Sequence, residues 1–443
     1  MERSVQHPAP GIPDLMTGPT HGLMIPKKRR MHMKDDKKAT IDAISGENTP
    51  MTIGIVAPSP VPFVVGGAEK LWWGLQEYIN KNTIHHCELI KICAKDNNFC
   101  DLIQSYDRFF RLDLLHFDMI LTTRYPAWMV QHPNHHIYFQ HPLRGLYERY
   151  CGPETIPPAV CAYPRVKKVF NAIDASPINI RRLFDAAMAL ANDPKAPEEA
   201  RLFPGPVARQ VVHALDRHAI SGAARVFAIS ETVQKRAGYF PDPENVPVVY
   251  HPSNLQGFYD GNPDYLLTVS RLVRPKRISL ILKAYMQAGL NIPLKIAGCG
   301  PQMPFLKKLA ARNRNIRFTG FVSDRDLAQL YSNALVVVFV PENEDLGLVT
   351  LEAMHAGKPV ITCSDSGGAA ELVSHGQTGW ICAPNAKDLA AAMRTAAADI
   401  RNTATMGRLA RDRVRGVSWE NLLSTLLDDS PFAGLPVSFL KNR

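Results

Sequence analysis

The chain has 443 residues, a formal net charge of +10, 46% hydrophobic and 21% charged side chains, so it is too long for one ordinary core and apolar enough for two. Its eight cysteines (87, 93, 100, 151, 161, 299, 363 and 382) form no CxxC or zinc spacing, which argues against a zinc module and for free thiols in a reducing cytosol. No apolar run approaches the length of a membrane-spanning helix, and residues 246–415 hold 20 basic against 13 acidic side chains without a dense stripe, which suits a small polyanionic ligand and not a nucleic-acid track.

Residues 1–50 read as a disordered tail: "HPAPGIPDLMTGPTHG" is rich in Pro and Gly, and "PKKRRMHMKDDKK" is a mixed charge run. A contact with an anionic membrane surface is the second reading of the same basic residues. No charged-then-apolar segment reads as a signal peptide, so the expected location is the cytosol, with the inner face of the membrane as the site of any peripheral contact.

Ordered structure is expected from "TIGIVAP", a short buried strand, followed by a helix over 67–81 with Leu71, Trp72, Leu75, Tyr78 and Ile79 at helical spacing. Gly66 and Gly67 fall where that strand hands over to that helix. Strand-like runs "CELIKICA", "DMILTTR" and "HHIYFQ" follow, then a mostly helical stretch from 151 to 222 and the strand "ARVFAIS". This predicts one α/β domain over 51–245 with a helical insertion, closed by a Pro-, Asn- and Gly-dense hinge at 241–263 that holds one short strand.

The alternation then restarts: strand "YLLTVS", helix 278–289, strand "LKIAG", helix 302–313, strand "IRFTGF", helix 324–334, strand "LVVVFV", helix 347–356 and strand "VITCS". Strands this apolar, separated by helices, imply a parallel sheet covered on both faces. The predicted fold is therefore two tandem doubly wound α/β domains, residues 51–245 and 246–415, facing across a cleft, with 416–443 as a closing segment. Ligands of such sheets bind beyond the carboxyl ends of the strands.

Two glutamate pairs share an eight-residue spacing, Glu344 with Glu352 and Glu69 with Glu77, and among 16 glutamates about 0.6 such pairs arise by chance. Context separates them. Glu344 lies in the exit loop "PENED" at the mouth of the expected cleft, and Glu352 lies more than a turn into the next helix. They are too far apart to share a proton, and one elongated ligand spanning both fits better, with its anionic part at the helix N-terminus near Gly347 and Leu348. "SRLVRPKR" puts Arg271 and Lys276 at another strand exit of the same sheet, where cations stabilise a diphosphate leaving group. "AGCGP", with Gly298 and Gly300, and "SGGAAELV" are glycine-bearing exits where backbone can approach a ligand closely.

Two signals are set aside. "DRD" (324–326) has the shape of a metal motif but opens a helix, with Ser323 as its cap. "HPNHH" (132–136) holds three histidines with no acidic or cysteine partner at ligand spacing and reads as a loop.

The order "SRLVRPK … AGCGP … FTGFVSD … PENEDLGLVTLEAMHAGKPV … SGGAAELV … GQTGW" resembles the nucleotide-sugar half of the retaining glycosyltransferases of family four, which have GT-B architecture. The likeness is strong over 264–395 and weaker in the first domain, at "GGAE", "YFQHPLRGLYERY" and "RVFAIS". "VSWENLLSTLL" resembles the closing helix that returns to the first domain. The resemblance implies that Arg271 and Lys276 hold the diphosphate, Glu344 the sugar hydroxyls and Glu352 the ribose hydroxyls. It implies a backbone amide of Gly67 near the β-phosphate, His141 beside the transferred sugar, and Val322 meeting the base through its backbone. It implies no metal or other cofactor.

The function expected is hexosyl transfer from a nucleoside-diphosphate sugar, with retention, to a saccharide or lipid-linked acceptor. Trp72, Trp73 and the basic tail point to a lipid-linked or oligosaccharide acceptor. Two departures bear on loop shape and on donor identity: Arg277 stands where a glycine usually follows the lysine, and Ser270 where glycine is commonest before Arg271. A non-catalytic nucleotide-sugar-binding protein and an NAD-type oxidoreductase remain as alternatives, although no strand-G-x-G-x-x-G-helix occurs in the right place for the latter.

Overall fold

The computed structural model describes residues 49–59 and 66–427. The tail expected over 1–50 therefore lies almost entirely outside the described residues, as does the chain beyond 427.

The first domain is built on β1 (Thr52–Ser59), β2 (His86–Cys93), β3 (Met119–Arg124), β4 (His135–His141) and β5 (Arg225–Ala228), in the order β2-β1-β3-β4-β5. The second holds β6 (Tyr265–Val269), β7 (Leu294–Ala297), β8 (Ile316–Gly320), β9 (Ala334–Val338), β10 (Val360–Cys363) and β11 (Gly379–Cys382), in the order β11-β10-β9-β6-β7-β8. Every pairing between neighbouring strands is parallel. Both are doubly wound sheets whose order reverses at one point, between β1 and β3 in the first and between β6 and β9 in the second. All residues of β9 are buried, which is why its sequence is a continuous apolar run with no polar alternation.

The helix Gly67–Asn82 buries Leu71, Trp72, Leu75 and Ile79 against the first sheet, as the spacing predicts. Trp72 is core, its indole N–H donating to Thr123 Oγ1 at 2.6 Å, so it offers nothing to an acceptor; Trp73 is the partly exposed one. The insertion forms five helices between Pro158 and Gly222. Its longest, Pro206–Gly222, carries the fully buried Asp216, whose carboxylate accepts from Tyr106 Oη at 2.8 Å, Trp128 Nε1 at 2.8 Å and Tyr147 Oη at 2.7 Å.

Three elements differ from expectation. The hinge strand is only a single bridge between Ala228 and Val248, because the surrounding prolines withhold the donors a longer ladder needs. The edge strand β11 and the helices Ala386–Ala398 and Ile400–Arg413 extend the second domain; the four-residue β11 is too short and mixed to announce itself. "HPNHH" is a loop only at its start, since β4 already begins at His135. The helix Trp419–Leu427 returns to the first domain, where His136 Nδ1–H donates to Leu426 O at 2.9 Å.

The domains also meet at a seam where Glu371 Oε2 accepts from the Thr232 amide at 3.2 Å. Burial first, then the nearby Glu231, pushes the Glu371 carboxyl up to about 7. A raised acid favours the packed state below its unfolded value, and that contribution is lost as the pH rises through about 7. Amide exchange at Thr232, corrected for intrinsic rate, is therefore expected to quicken from pH 5 to 8 in the native protein and to stay flat in Glu371→Gln, to about the tenfold level per unit of linkage. A flat native profile removes Glu371 as the titrating group.

Candidate functional site

The switch point of the second sheet places the exit loops of β6 and β9 side by side. Lys276 ends the 3-10 turn Arg274–Lys276, and its ammonium lies 2.6 Å from Glu344 Oε2 and 5.3 Å above the Phe339 ring. The loops are tied by Glu342 N–H donating to Pro275 O at 2.8 Å. Glu344 is held by its backbone as well: its N–H reaches Ser366 O at 3.2 Å and its carbonyl accepts from Gly368 N–H at 2.9 Å. Two exits predicted from sequence, the cationic one after β6 and the glycine-bearing one after β10, thus converge on Glu344, the first on its carboxylate and the second on its backbone.

Arg277 explains its own departure from glycine. It adopts the left-handed conformation (φ 50°), which costs a non-glycine residue about 1–2 kcal/mol. Against that, its guanidinium makes a two-pronged pair with Asp365, at 2.6 and 2.7 Å, and donates to Val340 O at 2.7 Å and Pro341 O at 2.8 Å. Charge-assisted bonds contribute about 1.5–3 kcal/mol each, so the bonds outweigh the strain. The side chain staples the exits of β6, β9 and β10 together.

Glu352 is buried in the helix Leu348–His355, and its two oxygens accept from Ser253 Oγ at 2.6 Å and Tyr331 Oη at 2.8 Å. Burial raises its pKa, and the two hydroxyls act against that rise. Gly347 caps this helix with φ 84°, and a side chain there would run into Ala369 at 2.9 Å, so the loop needs glycine for packing. Gly298 (φ 126°) is required likewise, because a Cβ would sit 1.9 Å from Ser270 O; Gly300 packs against Leu272 in the same way. These glycines seat the β6 exit loop, a structural reason where sequence suggested ligand approach. Arg271 is exposed and forms no ion pair with a described residue. Val322 is partly buried beside Phe321, which is 87% exposed.

From the first domain, Gly66 N–H donates to Glu69 Oε2 at 2.8 Å at the helix start, and Gly67 faces Leu348, a Cβ there lying 3.5 Å from Leu348 Cδ1. The N-termini of two helices, one per domain, therefore face each other. Glu69 is a helix cap and Glu77 an exposed partner of Lys81 at 2.5 Å, so the second glutamate pair is a coincidence of spacing. His141 ends β4, and its Nδ1–H donates to Pro142 O at 2.8 Å, which leaves Nε2 as an acceptor. Burial lowers its pKa; Asp345 opposes and Arg124 and Arg144 reinforce that shift, so the ring is neutral at pH 7.

Ser323 caps the helix Asp324–Ser332 through the Asp326 amide at 3.2 Å, and Asp324 pairs with Lys70 of the first domain at 3.0 Å. His132, His135 and His136 bond to Phe117 O, Thr122 Oγ1 and Leu426 O. Among the described residues no three His, Cys, Asp or Glu side chains stand close enough to hold a metal ion, and no helix is long and apolar enough to cross a membrane.

Residues 256–413 match the family described as glycosyl transferases group 1. This segment is a group 1 glycosyltransferase domain. It is similar to the glycogen synthase of Mycobacterium tuberculosis, 38% identical over 159 residues, which are 34% of this chain and 38% of that protein. It is similar also to the alpha-1,3/1,6-mannosyltransferase ALG2 of Mus musculus, 29% identical over 173 residues, covering 35% of this chain and 41% of that one. The chain thus matches well under half the length of these relatives. Over both domains it superposes on HepE of Anabaena, solved in complex with UDP and glucose, with a TM-score of 0.55 at 17% identity, covering 85% of this chain and 98% of that one. The fold is the two-domain GT-B fold.

The group 1 domain thus supplies Lys276, Glu344 and Glu352, and the first domain supplies Gly67 and His141. Missed from the sequence were Asn343 and Asp345 on either side of Glu344, and Arg144, Ser230 and Arg236 across the cleft. Asp345 was visible in "PENED", but its partner Arg236 is 109 residues away, and no spacing rule links them.

Proposed function

We propose that the chain is a retaining hexosyltransferase that moves a sugar from a nucleoside-diphosphate donor to a saccharide or lipid-linked acceptor, in the synthesis of a cell-surface polysaccharide or glycolipid. The observation that carries this reading is the Lys276–Glu344 pair, 2.6 Å apart at the switch point of the second sheet. A donor entering there brings two phosphates to Lys276, which releases Glu344 to accept from sugar hydroxyls. Lys276, with Arg271 swinging in from solvent, offsets the charge that grows on the leaving diphosphate. The reading needs no metal.

Asp345 is held by two arginines, and Glu344, once Lys276 turns to the phosphates, is taken up by sugar hydroxyls, which favours a route without a protein nucleophile. The departing diphosphate itself takes the acceptor's proton, on the face where the acceptor attacks. Neutral His141 accepts from a hydroxyl of the transferred sugar through Nε2. Contact with a membrane surface stays part of the proposal through the basic residues of the tail.

Incubation with UDP-, GDP- and ADP-sugars tests it. Slow release of the nucleoside diphosphate from one donor supports a transferase, and ligand-induced heat stabilisation with no turnover supports a binding protein.

Once that donor is known, Glu352→Gln is expected to raise its KM by about 10- to 150-fold with kcat nearly kept, since a ribose contact is made equally in ground and transition states. Glu77→Gln, at an exposed surface pair, is expected to leave both parameters unchanged. Steady-state kinetics on the two variants check this. Equal sensitivity at both positions would remove Glu352 from the donor site.

A further inference from the structure

We infer that Asp345 is a positioning residue that couples closure of the two domains to the seating of Glu344. The kinetic part rests on the glycosyl-transfer reading above; the contact itself does not.

Asp345 Oδ1 is ion-paired with Arg236 and stands 3.2 Å from Arg144 Nη1. Arg236 Nη2 also donates to Asn343 O at 3.0 Å and to Asn343 Oδ1 at 2.9 Å, and Arg144 Nη2 reaches Asn343 O at 3.3 Å. The Ser230 hydroxyl donates to Asp345 O. Both residues flanking Glu344 are therefore gripped from the first domain, by groups that follow the carboxyl ends of β4 and β5. Asn343 adopts φ 47°, a conformation asparagine tolerates better than most residues, so the loop is bent to present its carbonyl to the two arginines.

The arginines are themselves held. Arg144 pairs with Glu148, whose Oε2 accepts from Tyr239 Oη at 2.8 Å, and the Arg236 side chain is only 7% exposed. Among the described residues, every ion pair of Asp345 is to the first domain, and none is to its own. Burial alone would raise its pKa, yet Arg236, His141 and Arg144 together hold it below the usual carboxylate range. When the domains part, Asp345 loses both cations and Asn343 loses its two arginine contacts, while the bonds of the Glu344 loop to Pro275, Asp365, Ser366 and Gly368 of its own domain remain. Lys276 and Arg277 belong to the second domain and remain. A donor can then still bind the second domain, and closure adds the grip on Asn343 and Asp345 that fixes the residues on either side of Glu344. Arg144 lies in the stretch "HPLRGLYERY" that follows β4, so the same contact ties the loop around Glu344 to the first-domain wall of the cleft.

Asp345→Asn in the full chain tests this. Donor turnover is expected to fall about tenfold or more, while the Kd for the nucleoside diphosphate moves less than about threefold. Small-angle scattering of the ligand-free variant is expected to give a larger radius of gyration than the native protein, and Asp345→Glu is expected to recover part of both changes. Native kcat in Asp345→Asn overturns the inference. So does a Kd that weakens in step with kcat at a native radius, since that places the effect in the donor site alone. If Asp345→Asn does not fold, Arg236→Gln tests the same contact from the other domain, with the same split expected and the same outcomes overturning it. If the native protein turns over no nucleotide sugar, the functional reading fails separately, and an unchanged radius in the variant then overturns the coupling.

Discussion

Lys276→Ala is expected to lower kcat about 100- to 1,000-fold, because one electrostatic donor lost from a developing charge costs about 2.7–4 kcal/mol. The structure adds a second consequence. Lys276 is 2.6 Å from Glu344 in a half-buried cleft, so deleting either partner leaves the other uncompensated. Lys276→Ala, Glu344→Gln and the double variant should therefore be non-additive, with a coupling of about 0.5–3 kcal/mol. Glu344→Gln is expected to lower kcat too, since the sugar it holds changes shape and charge during transfer. Single-turnover rates on the donor found by screening measure all three. Near-native turnover in a folded Lys276→Ala protein removes the leaving-group role, and a strictly additive cycle means that the ion pair has no catalytic consequence.

Asp216→Ala is expected to cost the first domain about 3 kcal/mol or more, the largest stability effect foreseen away from the cleft. Each buried donor left without an acceptor costs about 1–3 kcal/mol, and the side chain serves Tyr106, Trp128 and Tyr147 at once. Tyr147 lies in the same stretch after β4 as Arg144, so this carboxylate connects the helical insertion to the wall of the cleft. Burial pushes the Asp216 carboxyl up to about 6, against the three hydrogen bonds that pull it down. The folded value is raised above the unfolded one, so the contribution is fully present below about pH 4 and is lost as the pH rises through about 6. A shift of that size is worth about 3 kcal/mol. Urea unfolding followed by Trp128 fluorescence at pH 4.5 and 7.5 should show this slope in the native protein and not in Asp216→Asn. An identical slope in both assigns the pH dependence elsewhere.

The order of strands and helices was readable because parallel strands buried on both faces are continuous apolar runs, and the helices between them keep an apolar stripe. "LVVVFV" and the face of Leu71, Leu75 and Ile79 needed no tertiary information. The loops that carry Lys276 and Glu344 were legible for the same reason, since a loop after such a strand must lie at the carboxyl edge of the sheet. What spacing cannot encode is pairing across crossovers. The sheet orders decide which exits become neighbours, and the reversal between β6 and β9 in the second sheet is what brings Lys276 to Glu344. The same holds for Arg277, which looked like a lost glycine and proves to be a staple to Asp365, 88 residues on. Trp72 and Trp73 are alike in type, and the helical spacing already places only Trp72 on the buried face. The grip of Arg144 and Arg236 on the loop around Glu344 belongs to neither domain's sequence pattern. It exists because two separately folded sheets present their carboxyl edges to each other, where charges distant in the chain meet at low dielectric.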